Sequence, residues 1–151
     1  MPKLVFVCTG NICRSPMAEY LLRSLLGEES EWVVVSAGIL APQGMPASEA
    51  AIHVMQEDEG IDIARHRSRM LDSALVAESD LIVCMTPSHR AEILRSFPEA
   101  DGKTFLLTDF ELEHRSEAVA DPIGHSVDVY RKTKDQIKAA LPDLVLHMKE
   151  M

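Results

Sequence analysis

Leu4-Val5-Phe6-Val7-Cys8-Thr9-Gly10-Asn11-Ile12-Cys13-Arg14-Ser15-Pro16-Met17 is the stretch that decides the fold. Leu4 to Val7 is an unbroken apolar run cut short by Thr9 and Gly10, the pattern of a strand buried on both faces and ending in a turn. Ser15 and Pro16 then open a helical pattern. Ser suits a helix cap, Pro suits the first turn, and Met17, Tyr20, Leu21 and Leu25 recur at helical spacing to about Gly27.

The same alternation continues outward. Trp32 to Val35 reads as a second buried strand, halted by Ser36-Ala37-Gly38, and Ser48 to about Glu59 reads as a helix ended by Gly60. A short helix near Leu71 to Ala77 precedes a third strand, Leu81 to Met85. Ser88 to Phe97 is a further helix, and Thr104 to Leu107 is the fourth strand. His125 to about Ala140 reads as a long amphipathic helix with Val127, Tyr130 and Ile137 inward, which Pro142 should kink or restart. Strands alternating with helices predict an α/β fold in three layers, a four-stranded parallel sheet flanked by helices on both faces and wound by right-handed crossovers. In such sheets ligands bind beyond the carboxyl ends of the strands, where the first strand releases Cys8 to Ser15.

A chain of 151 residues, 46% of them hydrophobic, is long enough for one core and short for two, so residues 1–151 are expected to form a single domain. Twenty-four acidic against fifteen basic residues give a formal net charge of -9, which argues against nucleic acid or an anionic membrane as partner. An anionic substrate is still compatible, because a phosphate site needs only local positive potential. Met1 to Val7 is too brief for a signal sequence and no stretch reaches membrane-span length, which predicts a cytoplasmic protein, monomeric by default. Three cysteines, Cys8, Cys13 and Cys84, leave at least one thiol free.

Cys8 and Arg14 are separated by five residues between a buried strand and a helix start. A loop of that length can wrap a tetrahedral oxyanion, aiming successive N–H groups and a helix N-terminus at it while Arg14 clamps it. Thr9, Gly10, Asn11, Ile12, Cys13 and Ser15 are therefore the expected phosphate-binding residues. The same positive surroundings favour a thiolate at Cys8, the nucleophilic form. Gly10 and Asn11 tolerate the left-handed backbone that converging N–H groups require, and Ser15 can donate its hydroxyl to the Cys8 sulfur. The ordinary fate of a cysteine after a strand is core packing, but here several independent features coincide. Asp121, in Ala120-Asp121-Pro122-Ile123-Gly124, is held extended by Pro122; locally it reads as a helix-start signal, and beside the Cys8 loop as a general acid.

Val7 to Glu19 together with Asp121-Pro122 resembles the low-molecular-weight protein-tyrosine phosphatase family over nearly the whole chain. The resemblance implies Cys8 as nucleophile, Arg14 as transition-state clamp, Asp121 as acid then base, and neither metal nor cofactor. It implies a phosphorylated protein as substrate, Asn11 holding the loop with Ser36 as its partner, and Ser15 supporting the thiolate. It also implies a reversible Cys8–Cys13 disulfide under peroxide, beside which plain loop packing of Cys13 stands as an equal reading.

Phosphotyrosine-specific members carry aromatic residues at the pocket rim. Here Gly38 to Gly44 and Asp121 to Gly124 contain no Tyr, Trp or Phe, so stacking of about 0.5–1.5 kcal/mol per aromatic pair is missing. Asp121 to Tyr130 is similar to the bacterial protein-arginine phosphatase branch, yet that branch has Thr where Ile12 stands, and an Ile offers an apolar wall to a phenyl ring. Phosphotyrosine is the expected substrate and phosphoarginine the alternative. Thioredoxin-linked arsenate reductases relay through two further cysteines near the third strand; only Cys84 is there, inside an apolar run. A non-catalytic phosphate-binding module would need neither nucleophile nor acid. The six histidines show no ligand spacing and read as solvated, with His125 alone close enough to tune the Asp121 loop; Met148 and Met151 read as a frayed helix end.

Overall fold

The computed structural model describes residues 1–151. The first apolar run forms strand β1 (Lys3–Cys8), and its residues divide by parity, as a pleated strand requires. Leu4, Phe6 and Cys8 join the larger core cluster on one face, and Val5 and Val7 join a smaller cluster on the other. Three layers follow from that division. Helices α1 (Arg14–Leu26), α2 (Glu49–Val54) and α5 (Val127–Lys149) pack on the Cys8 face. Helices α3 (Ser73–Glu78) and α4 (Pro87–Ser96) cover the opposite face.

With β2 (Val33–Gly38), β3 (Leu81–Cys84) and β4 (Thr104–Leu106), the sheet has four parallel strands in the order β2-β1-β3-β4. The chain leaves β1 toward β2 on one side and later returns to β3 on the other. The strand order therefore reverses beside β1, which opens a crevice at its carboxyl end, where Cys8 lies. Both sheet edges are masked by arginines: Arg23 donates from Nε and Nη2 to the Val34 carbonyl (3.0 and 2.8 Å), and Arg90 Nε donates to that of Thr104 (3.2 Å).

Several expectations shift. Cys13, not Ser15, is the N-cap of α1 and makes no side-chain cap, its sulfur lying against Ser48 and Tyr130, while the Ser15 hydroxyl is committed to Cys8. The helix expected to Glu59 changes pitch after Val54 into a five-residue π-helix, Met55–Glu59, before Gly60 ends it in a left-handed conformation (φ 67°). That widening presents Asp58 and Glu59 to α5, where buried Lys134 contacts both (3.2 and 2.9 Å), Arg131 pairs with Asp58 and Lys138 with Glu59. Burial works against the charge on Lys134, but its hydrogen bonds to the carboxylates of Asp135, Glu59 and Asp58 outweigh it and raise its pKa.

Helix α5 starts at Val127, not His125, and runs on through Pro142 without restarting. Pro142 sits on the solvent side, where the carbonyl it deprives of a partner can be hydrated, while Leu141, Leu144 and Met148 bury the other stripe. Met148 thus belongs to the core rather than to a frayed end. No helix is long and apolar enough to cross a membrane.

Candidate active site

Residues 9–13 leave β1 and wrap back to the start of α1 without regular structure. None of their backbone N–H groups donates to another backbone group, so the loop carries a run of free donors. Asn11 makes the curvature possible at φ 57°, one of only two non-glycine residues with positive φ. Gly10, expected to share that role, does not have positive φ, and a Cβ there would meet Ile12 at an ordinary 3.8 Å. The indispensable glycine is Gly38 at the end of β2. A Cβ on it would lie 2.5 Å from the Thr9 carbonyl oxygen and 3.0 Å from the Asn11 nitrogen. That close approach lets Ile39 and Leu40 donate to the carbonyls of Cys8 and Thr9 (both 3.0 Å).

Asn11 is also the hub of a buried polar chain. Its Oδ1 accepts from the Arg69 amide (3.0 Å), which fixes the orientation of its side-chain amide. Nδ2 then donates to Ser36 Oγ (2.9 Å) and to Ser15 Oγ (2.8 Å). Ser36 donates its own hydroxyl to Glu19 Oε1 (2.6 Å), and Glu19 is paired with Arg23 (2.7 Å). Because a carboxylate only accepts, the proton order is set from that end. Ser15, already an acceptor from Asn11, is left to donate to Cys8 Sγ at 2.9 Å. The expected Asn11–Ser36 and Ser15–Cys8 contacts are therefore both present, joined through a residue, Glu19, that the sequence reading left out.

Cys8, Thr9, Gly10, Ile12, Cys13, Arg14, Asp121 and Ile123 line one pocket of about 170 Å³. Larger clefts lie elsewhere, but none combines a thiol, a guanidinium and a carboxylate. Arg14 is buried, donates from Nη1 to the Val119 carbonyl (2.9 Å) and holds Nη2 3.6 Å from Asp121 Oδ2; its Nε has no hydrogen-bond partner in the protein. Asp121 is half exposed, and its Oδ1 accepts from the Ile123 amide (3.0 Å), an Asx turn that keeps the carboxylate over the pocket. The structure thus brings together Cys8, the loop, Arg14, Asp121, Ser15 and Ser36.

Cys13 Sγ lies 3.5 Å from Ser48 Oγ and 3.3 Å from Tyr130 Oη. Burial raises the pKa of its thiol, and pushes Tyr130 up to about 12. Cys84 is wholly buried and also pushed up to about 12 by burial, so it is inert at neutral pH. Two histidines read as solvated are buried instead. His66 Nε2 donates to the Asn11 carbonyl (2.7 Å), and His89 Nε2 lies 2.9 Å from Thr9 Oγ1. His125 is exposed and meets the acid loop only through its backbone N–H, which donates to the Pro122 carbonyl (2.9 Å).

A parallel α/β sheet whose switch point carries a cysteine-to-arginine anion loop, with a carboxylate poised above it, defines a cysteine-dependent phosphatase. The chain belongs to the low molecular weight phosphotyrosine protein phosphatase family, which residues 3–151 match. It is 40% identical over 94% of its length to a protein-arginine-phosphatase of Geobacillus stearothermophilus, covering 93% of that protein. To a probable low molecular weight protein-tyrosine-phosphatase of Ralstonia nicotianae it is 38% identical over 89% of its length and 88% of the relative's. Among solved structures, the Geobacillus stearothermophilus arginine phosphatase superposes with a TM-score of 0.90 at 36% identity, over 99% of this chain and 94% of that one.

Proposed function

We propose that this enzyme hydrolyses phosphotyrosine in proteins through a Cys8 phosphoenzyme. The observation that carries the reading is the shared pocket, which Cys8, Arg14 and Asp121 line together with two apolar side chains, Ile12 and Ile123. Phosphoryl oxygens would take the free N–H groups of residues 9–13 and the Arg14 guanidinium, with no metal required for the charge.

Cys8 attacks phosphorus while Asp121 gives a proton to the departing phenolic oxygen. Asp121, now a carboxylate, then takes a proton from the water that splits the thiophosphate, and Ser15 donates to the sulfur as it leaves. Arg14 holds the equatorial oxygens throughout, and the loop supplies positioning in advance of the reaction.

Ile12 and Ile123 make the side walls apolar, which suits a flat ring and offers a guanidinium no acceptor besides Asp121. The rim itself is aliphatic, with Leu40 73% exposed where ring stacking would otherwise add affinity. Phosphoarginine is the second reading, favoured by the similarity of Asp121–Tyr130 to arginine phosphatases. The test is kcat/KM on matched phosphotyrosine and phosphoarginine peptides for the wild type and Ile12→Thr, with Cys8→Ser as blank. Phosphotyrosine preference that Ile12→Thr erodes supports the reading; phosphoarginine preference in the wild type overturns the substrate assignment, and inactivity on both overturns the enzyme.

A further inference from the structure

His89 is a buried titratable group that this mechanism does not use. It occupies the first turn of α4, where its amide donates to Thr86 Oγ1 (3.1 Å), and its side chain crosses to the loop after β1. Nε2 stands 2.9 Å from Thr9 Oγ1, while Nδ1 is buried without any hydrogen-bond partner.

Those two facts select the tautomer. A buried N–H with no acceptor is costlier than a lone pair with no donor, so the proton belongs on Nε2 and Nδ1 carries the lone pair. Thr9 Oγ1 is then an acceptor toward His89. Its own proton has no other protein partner and is free to turn into the pocket that Thr9 lines. A second proton on the ring is disfavoured by burial and by the neighbouring Arg14 charge, against a smaller opposing pull from Asp121, which lowers its pKa to about 4.

We infer that His89 is a positioning residue of this site: by donating from Nε2 to Thr9 Oγ1 it commits the Thr9 hydroxyl to serve as a side-chain donor to the bound phosphoryl group. The inference rests on the phosphatase reading but concerns anion binding, so it can fail separately. It also explains why an α4 residue, from the far side of the sheet, reaches Thr9, whose side chain makes no other hydrogen bond in the protein. A valine at position 9 would have the same shape and no proton to give.

The experiment measures competitive inhibition by inorganic phosphate, together with kcat and KM for p-nitrophenyl phosphate, in Thr9→Val, Thr9→Ser, His89→Leu, His89→Gln and the Thr9→Val/His89→Leu pair. Thr9→Val and His89→Leu should each weaken phosphate about fivefold, the net worth of one ordinary hydrogen bond. The pair should be no weaker than either single change, because both remove the same donor. Thr9→Ser and His89→Gln keep hydroxyl and N–H and should restore most of the affinity. The pH profile should be unchanged in shape in His89→Gln, since the residue transfers no proton. Normal phosphate affinity in Thr9→Val, or additive losses in the pair, overturns the proposal. If His89→Leu does not fold, Thr9→Val against Thr9→Ser still decides it. Absence of turnover in wild-type enzyme with phosphate binding weakened in Thr9→Val would refute the phosphatase reading and leave this one standing.

Discussion

Asn11 is where backbone strain and proton order meet, so replacing it should separate the two. Asn11→Ala removes three side-chain hydrogen bonds, to Ser15, Ser36 and the Arg69 amide. At about 1 kcal/mol net for each bond, and more where the abandoned partner stays buried, the loss is about 3 kcal/mol. Alanine must also sit at φ 57°, a conformation costing an L-residue about 1–2 kcal/mol. Asn11→Gly makes the same hole without that strain but gains freedom in the unfolded chain, which returns about 0.5–1 kcal/mol of the difference. Alanine should therefore be the less stable of the two by about 0.5–1 kcal/mol, each being measured by urea unfolding at pH 7. The second readout is the rate of Cys8 alkylation by iodoacetate at pH 6. Without Asn11 the Ser15 proton is no longer directed at Sγ, and the rate should fall about fivefold in both variants. Equal stability of alanine and glycine would refute the strain assignment; an unaltered alkylation rate in folded protein would refute the proton order running from Glu19 to Cys8.

Three other outcomes follow from the same structure. Asp121→Asn should lower kcat by about 100-fold or more on phosphotyrosine peptides and much less on p-nitrophenyl phosphate, whose leaving group needs little protonation; equal losses would remove Asp121 as the acid. Lys134→Met leaves Asp58 and Glu59 facing α5 without their central cation, and should cost about 3 kcal/mol, a drop of about 6–12 °C in Tm by calorimetry. His89, with its folded pKa lowered from 6.5 to about 4, binds its proton more readily when unfolded. Its contribution, at most about 3 kcal/mol, is complete above pH 6.5 and is lost as pH falls toward 4. In urea titrations at pH 7 and pH 4.5, His89→Gln should therefore lose less stability on acidification than the wild type, and an equal loss would contradict the buried neutral ring.

What was legible in the sequence was whatever local chemistry enforces. The β1 run, the loop and the helix with Pro16 in its first turn were readable because apolar length, loop spacing and proline are short-range signals. Pro142 does not restart the helix because its cost, about 3 kcal/mol, is a local figure, while Leu141, Leu144 and Met148 bury a stripe that repays it through the fold. The π-turn at Met55–Glu59 was invisible for a similar reason, since its advantage lies in Lys134, Arg131 and Lys138 on a helix more than seventy residues away in sequence. Glu19 did leave a trace: Ser15, Glu19 and Arg23 stand four apart and so share one face of α1. A carboxylate four residues after the serine beside a catalytic cysteine is placed to order that serine's surroundings, yet amphipathic patterning assigns any Glu to solvent. His66 and His89 left none, because a histidine is buried or solvated according to partners brought by other elements. The polar groups that complete this site are thus supplied over long range to a loop set by short-range signals. Substitutions at Glu19, His66 or His89 should alter rate or anion affinity while leaving the sheet intact.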